Sequence, residues 1–220
     1  MFTTSLKPFN RPLTGNLLLK SLHHPQDAER LIAFNAQRFG AQVGTMSASL
    51  IHHHPYARPD YWLYIEDQTT GEIVSSLCLI PWRWRCEEVS LTSAEMGIVS
   101  TLENYRNRGL IRALDVRFKE LLAENEFDLS HIQGIPYFYR QFGYEYTLPL
   151  EAAWQFELRD VPPPPDETAA WRLRPAAPDD IPLLAHFYQQ ATSRLNITTE
   201  RTPDIWRYLF LHNPGTETET

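Results

Sequence analysis

The sequence contains few cysteines and no long apolar segment. Cys78 and Cys86 are the only cysteines among 220 residues. Two cysteines cannot build a disulfide framework or a cysteine-rich zinc site, and their scarcity favours a reducing compartment. No uncharged apolar run approaches the ~20 residues that cross a bilayer, and Met1–Pro12 lacks the apolar centre of a signal peptide. We therefore expect a cytoplasmic protein without a membrane partner.

Basic residues are fewer than acidic residues. The chain has 27 acidic and 20 basic residues, which gives a formal net charge of -7. This balance argues against general nucleic-acid binding, which requires a basic face. It is compatible with a small cationic substrate, because an acidic cleft attracts amines. Ordinary solubility is the simpler explanation of the same charge.

Four consecutive prolines, Pro162–Pro165, interrupt the chain. They supply no amide donors, so this stretch can join neither a helix nor a sheet ladder, and it indicates a stiff extended linker. The sequence predicts a first domain over residues 1–160, a proline-rich linker over 161–169, and the start of a second unit over 170–220.

Two segments on either side of this linker are similar to each other. Leu18–Phe34 and Trp171–Phe187 align without a gap, with Pro25 matching Pro178. Each predicts a short strand, a helix that starts at a proline, and an amphipathic continuation. We interpret them as an internal repeat; chance similarity of two common patterns is the alternative. The second copy lacks later strands, so either the chain is a fragment of a longer protein or this piece packs onto the first domain.

The first domain is predicted to be α/β, with helices on the faces of a mixed sheet. An amphipathic helix is predicted over Leu110–Glu124, where apolar residues recur at helical spacing. Alternation and turn signals predict strands at Tyr61–Glu66, Glu72–Pro81, Val89–Leu102, Phe127–Ile132 and Leu148–Leu158.

The turn before the Leu110–Glu124 helix combines Arg106, Arg108 and Gly109. Amides at a helix start lack partners and carry partial positive charge, and glycine lets an anion approach the backbone. Arginines add charge and fork-shaped donors. The turn therefore predicts a pyrophosphate site, with a plain strand–helix connection as the alternative. It has neither the Gly-Lys-Ser/Thr of a P-loop nor the glycines of a dinucleotide fingerprint.

Two motifs resemble the GNAT acetyltransferase superfamily. Its central motif, Gln/Arg-x-x-Gly-x-Gly/Ala after a valine-rich strand, resembles this turn, with Arg106 and Gly109 in the first two positions. Ile111 stands in the third position, and in this respect the chain is similar to the tandem-GNAT acetyltransferases of the enhanced-intracellular-survival type. Glu103 stands where that subgroup often has proline. Gly134–Glu145 is similar to the family's Phe-Tyr-x-x-Phe-Gly-Tyr/Phe-Glu segment.

The resemblance spans nearly the whole chain. It implies the GNAT fold, a mixed and mostly antiparallel sheet flanked by helices, followed by a partial second GNAT-like unit. It also implies acetyl-CoA as the acyl donor. The backbone of three strand residues would bind the pantetheine arm and the thioester: Ile98, Val99 and Ser100. The following turn would hold the pyrophosphate: Arg106, Asn107, Arg108, Gly109, Leu110 and Ile111.

Tyr139 matches the family's general acid, which protonates the departing thiolate of CoA. A thiol has a pKa near 8.5 and a phenol near 10, so a positioned tyrosine can share or donate that proton. The alternative for Tyr139 is an aromatic residue packed on the core. Glu95 is a candidate general base; a water chain is its alternative, and in the tandem subgroup the base can be a carboxylate at the far C-terminus of a longer chain.

His52, His53 and His54 are adjacent in what we interpret as an extended segment. Neighbouring side chains would point in opposite directions there, so we expect a polar loop and no metal site. The two cysteines have no Cys-His motif nearby and are expected to be inert.

We therefore expect an N-acetyltransferase that moves acetyl from acetyl-CoA to a primary amine, with a small cationic molecule as acceptor. A non-catalytic acyl-CoA-binding or regulatory domain is one alternative, and a protein N-acetyltransferase is another. The sequence leaves the oligomeric state open, a homo-oligomer included.

Overall fold

A computed structural model of the chain describes residues 8–148, 157–160 and 174–213. The predicted linker and the strand that would open the second repeat copy lie outside these residues. The strands are β1 (Asn10–Pro12), β2 (Leu17–Ser21), β3 (Trp62–Asp67), β4 (Glu72–Cys86), β5 (Val89–Thr101), β6 (Leu129–His131) and β7 (Ile197–Thr199). The helices are α1 (Pro25–Phe39), α2 (Ala41–His53), α3 (Leu110–Glu124), α4 (Ile181–Thr192) and α5 (Pro203–His212).

One mixed sheet organises the described chain, with the strand order β1-β2-β3-β4-β5-β6. Neighbours pair antiparallel from β1 to β5, and β5 pairs with β6 in parallel. β7 adds an antiparallel pairing to the far end of β4. The predicted fold class, a mostly antiparallel mixed sheet flanked by helices, is confirmed.

The sheet buries a different apolar cluster on each face, as strand alternation requires. On the α3 face, Leu63 and Leu77 pack with Leu114 and Phe118. On the α1 and α2 face, Cys78 lies in the core with other buried residues, including Leu31, Phe34, Trp62 and Tyr64. Cys78 is a core residue, and its burial raises the pKa of the thiol. Within the described ranges, no helix has both the length and the apolar character that crossing a bilayer requires.

Two of the predicted strands differ in length from the sequence-based expectation. β4 continues through Pro81 to Cys86. The pairing of β3 with β4 reaches only as far as Trp62 opposite Cys78, so the edge of β4 that faces β3 is open at Pro81 and can accommodate a proline. β6 is shorter than predicted. The strand expected at Leu148–Leu158 lies mostly outside the described residues, and Leu158–Asp160 forms a 3-10 turn.

The helix α2 was not predicted, and it corrects the interpretation of the histidines. His52 and His53 form the last turn of α2, and His54 follows as its C-cap, so the segment is helical rather than extended. The α2 sequence contains glycine, serine and threonine, which have low helix propensity. Tertiary burial of Val43 and Leu50 stabilises the helix instead.

The segment after the linker packs onto the first sheet. β7 pairs with Trp84–Cys86 of β4. In α5, the Tyr208 hydroxyl lies 3.2 Å from Ser49 Oγ of α2, and Ser49 donates to the carbonyl of His212 at 2.6 Å. Of the two expectations for this piece, packing against the first domain is observed. The domain bounds and the start of a second GNAT-like unit stay predictions.

Candidate active site

β5 and β6 separate along their length and leave a cleft between them. Their parallel pairing runs from Ser93 opposite Leu129 to Glu95 opposite His131 and then ends. β5 continues to Thr101, while the chain after His131 is irregular. Residues 96–99 and 132–135 thus face each other across a cavity of about 400 Å³.

A β-bulge lies at this cleft. The register between β4 and β5 shifts so that Ile98 and Val99 oppose Leu77, and Ile98 has a φ of 50°. A positive φ is strained for a β-branched residue, and the extra residue of a bulge is left out of the ladder. The bulge therefore lies at two of the three residues expected to bind the thioester, and both residues line the cavity.

The third of these residues, Ser100, is held by two hydrogen bonds from side chains. Its carbonyl accepts a hydrogen bond from Ser75 Oγ at 2.9 Å, and its hydroxyl accepts one from Arg38 Nε at 3.2 Å. Arg38 lies in the last turn of α1, and no sequence pattern linked it to this strand. A guanidinium is thereby held beside the path from the turn to the cleft.

The predicted pyrophosphate turn has the expected backbone form. Asn107 and Gly109 both have left-handed conformations, with φ of 60° and 73°. Gly109 is the N-cap of α3 and provides no side-chain cap, so the first amides of the helix stay open to an anion. The Leu110 side chain is buried in the core and Ile111 packs against it, so these two residues can contribute only their backbone.

The guanidinium groups of the two arginines in the turn differ in how firmly their contacts hold them. Arg108 is fixed: its guanidinium lies 4.7 Å from the centre of the Tyr105 ring and donates to the Asn104 carbonyl at 2.9 Å. The side chain of Arg106 is 57 % exposed, and its ion pair within the described part of the chain is a 3.8 Å contact with Glu103. An exposed contact of this length is weak, so Arg106 can turn toward a bound phosphate.

Tyr139 lies on a short 3-10 turn, Phe138–Phe142, and is 9 % exposed. It lines the cavity. Its ring packs against Phe138, Phe142 and Tyr144. Burial raises its pKa to about 12, so the phenol is protonated at neutral pH.

Glu95 lies on the floor of the cavity, two residues before Gly97. It accepts a hydrogen bond from Trp82 Nε1 at 2.9 Å, and burial raises its pKa. His131 Nε2 is 3.8 Å from the carboxylate. Burial lowers the pKa of His131 to about 4, so this histidine is neutral at pH 7 and the contact is not a salt bridge.

The far wall of the cavity was not anticipated from the sequence. It comes from α2 and α5, which are far apart in the chain, and its side chains are mostly apolar: Val43, Met46, Leu50, Ile205, Tyr208 and Leu209. The C-cap residues of the two helices, His54 and Asn213, are its polar members. The apolar spacing along Ile205–Leu209 was the available signal, but nothing local indicates what that face covers. Among the residues that the structure describes, no group of three or more histidine, cysteine or acidic side chains is placed to hold a metal ion.

Comparison with known proteins identifies a family. A family model described as an acetyltransferase (GNAT) domain matches residues 24–147. No curated protein matches the chain. The matched range contains the bulge, the pyrophosphate turn and Tyr139.

Solved structures share the fold at low identity. A Saccharomyces cerevisiae N-myristoyltransferase with bound myristoyl-CoA has a TM-score of 0.63 and 16 % identity, covering 97 % of this chain and 56 % of that one. Glucosamine-6-phosphate N-acetyltransferase from Arabidopsis thaliana has a TM-score of 0.51 and 11 % identity, covering 64 % and 99 %. A probable N-acyltransferase of Enterococcus faecalis V583 has a TM-score of 0.50 and 20 % identity, covering 60 % and 33 %. The chain thus spans about a third of the length of the Enterococcus faecalis protein and little more than half of the length of the N-myristoyltransferase.

Proposed function

Because the chain belongs to the acetyltransferase (GNAT) family, we propose that it is an acyl-CoA-dependent N-acyltransferase that acylates a primary amine. The observation that carries this proposal is the bulge at Ile98 and Val99, which opens onto a cavity also lined by Tyr139. The thioester of the donor and the acceptor amine would thereby meet at one point of the sheet.

The donor would lie along the carboxyl half of β5. Its pyrophosphate would contact the first amides of α3 and the mobile guanidinium of Arg106, since helix starts and arginines both favour anions. The pantetheine arm would follow β5 back toward the cleft. The thioester carbonyl would then accept a hydrogen bond from the backbone at Ile98 or Val99, which stabilises the developing oxyanion.

The transfer itself needs two proton movements. The amine nitrogen attacks the thioester carbon, the carbon–sulfur bond breaks, and the nitrogen loses one proton. Glu95 would accept this proton, directly or through a water molecule; its position in the same cavity supports this role. The electron pair of the broken bond leaves on the sulfur.

Tyr139 would stabilise that sulfur chiefly as a hydrogen-bond donor. With a pKa of about 12, its proton is held more tightly than that of a thiol with a pKa near 8.5. Complete transfer from the phenol is therefore uphill, whereas donation of a hydrogen bond to the thiolate is not. Final protonation of the thiolate can then occur from solvent.

The acceptor is defined only as a class. Among the described residues that line the cavity, Glu95 is the one acidic side chain. A polycation would find a single carboxylate there. The prediction of a small cationic acceptor is therefore supported only by the net charge of the chain. Acetyl-CoA is the donor predicted from the sequence, and the cytoplasmic location and lack of nucleic-acid partners likewise remain predictions.

Two measurements test the proposal. Calorimetry with CoA should show binding that depends on the turn, and a thiol-release assay with acetyl-CoA should show turnover with at least one member of an amine panel. CoA binding without any amine-dependent thiol release would favour the alternative of a non-catalytic acyl-CoA-binding domain. Turnover restricted to peptide amines would favour a protein N-acetyltransferase. Absence of CoA binding would overturn the proposal.

A further inference from the structure

We propose that the physiological donor carries an acyl chain longer than acetyl, a medium chain of roughly six to eight carbons, which extends into the apolar part of the cavity. We name this part the acyl compartment and define it by Val43, Leu50, Ile205 and Leu209. The inference deepens the proposed function and rests on it.

The direction of the donor places its acyl end there. The pyrophosphate turn follows the carboxyl end of β5, so the pantetheine arm reaches the cavity beside residues 95–99 by running backward along the strand. From Thr101 to Gly97 the strand covers roughly 13 Å at about 3.3 Å per residue. The atoms beyond the thioester therefore emerge at Gly97 and Glu95, where the cleft opens into the acyl compartment.

The volume exceeds what an acetyl group needs. The cavity measures about 400 Å³. If each non-hydrogen atom takes about 30 Å³, the share of a water molecule in liquid water, this space holds roughly a dozen atoms. An acetyl group would fill little of it, whereas an acyl chain of roughly six to eight carbons would take about half to two-thirds of it and leave room for the reacting amine.

The chemistry of the walls selects an apolar occupant. Leu50 and Ile205 are 6 % and 8 % exposed, and Ile80 lies on the sheet side of the same cavity. Burying an aliphatic chain against these side chains is favourable, because it removes apolar surface from water. A charged amine would lose hydration there and would find no carboxylate other than Glu95 among the described lining residues.

The position of α5 fixes the size of the compartment. The contacts of Ser49 with Tyr208 and with the His212 carbonyl hold α5 against α2, and the rings of His53 and His212 stack 3.9 Å apart. A wall supplied by the segment after the linker thereby sets how far an acyl chain can extend.

The test is a chain-length series of donors on the full chain. Calorimetry would compare CoA with acetyl-, hexanoyl-, octanoyl- and palmitoyl-CoA. Affinity should rise from acetyl to octanoyl by up to about fourfold per methylene, the equivalent of ~0.8 kcal/mol per buried CH₂, and should stop rising once the compartment is full. Leu209→Trp should abolish this rise with chain length. Leu211→Trp is the matched control, because Leu211 lies on the same helix and is 47 % exposed.

The outcomes separate this inference from the proposed function. If CoA and acetyl-CoA bind but affinity is flat or falls toward octanoyl-CoA in the wild-type protein, the inference is overturned and the compartment belongs to an apolar acceptor. If CoA itself does not bind, the proposed function fails first. The wild-type series decides the matter even if Leu209→Trp does not fold.

Discussion

The ring of Tyr139 packs directly over the α-carbon of Gly134. A Cβ placed on Gly134 would lie 2.6 Å from the Tyr139 Cε2 atom, which is closer than real Cβ contacts come. Gly134 belongs to the irregular segment that separates from β5, and Tyr139 to the 3-10 turn that follows it. The absence of a side chain at Gly134 therefore leaves the space that the Tyr139 ring occupies.

We predict that Gly134→Ala lowers kcat by displacing this ring, by roughly tenfold or more, while CoA affinity at the distant turn is kept. Steady-state kinetics and calorimetry with CoA would measure the two effects. If Gly134 acts through Tyr139, the double variant Gly134→Ala/Tyr139→Phe should be no slower than Tyr139→Phe alone. Additive losses would mean that Gly134 serves another purpose.

For Tyr139→Phe we predict a loss of kcat of about 10²-fold, toward the lower end of what general acid catalysis supplies, because the phenol donates a hydrogen bond rather than a whole proton. Tyr144→Phe is the matched control. The pKa of Tyr144 is also raised to about 12, but its hydroxyl is already bonded to Ser130 Oγ at 2.8 Å. Equal kcat values for wild type and Tyr139→Phe would show that Tyr139 is only a wall of the site.

Local patterns predicted the elements that carry the donor site. The Leu110–Glu124 helix was predicted at its observed bounds, and β5 to within one residue, because amphipathic spacing and alternation mark elements with one buried face. The open amides before α3 follow from Gly109 at a helix start. The roles of these residues in binding remain predictions, but their arrangement was readable from neighbours in the sequence.

The cavity between β5 and the segment after β6 could not be predicted from local sequence patterns. Its far wall joins α2 to α5, and Tyr208 meets Ser49 across 159 sequence positions. α2 itself was missed because its polar and small residues form a helix only when the sheet buries one face. The bulge at Ile98 is equally non-local, since it depends on how β5 registers with β4.

Gly109→Val tests the pyrophosphate turn. Gly109 has a φ of 73°, which a β-branched residue adopts only with strain, and a new side chain would also stand beside the open amides. We predict a loss of CoA affinity of tenfold or more in calorimetry. Gly71→Val is the matched control, because Gly71 has a φ of 71° and equal open space around it but lies in the β3–β4 turn. Both variants should lose similar thermal stability, and equal CoA affinity in the two would refute the assignment of the turn.

Glu95→Gln should make the enzyme slower and the fold more stable at neutral pH. Burial raises the pKa of Glu95 above its ordinary value near 4.5, so the folded state keeps this proton in a pH range where the unfolded chain has lost it. The free energy of unfolding therefore decreases as pH rises from about 4.5 through the raised pKa. Glutamine cannot ionise and can still accept the hydrogen bond from Trp82, so this decrease should disappear in the variant.

The kcat should increase with pH, whereas the free energy of unfolding decreases. If the carboxylate accepts the proton of the amine, wild-type kcat rises as pH passes upward through the pKa of Glu95, and Glu95→Gln loses about 10²-fold or more together with that limb of the profile. Glu88→Gln removes the same formal charge at the exposed β4–β5 turn and should change neither profile. Denaturant unfolding and kcat measured from pH 4 to pH 9 would give both profiles. A variant that gains stability but keeps its rate would leave Glu95 as a buried carboxyl of the cavity floor and assign the base to a water chain.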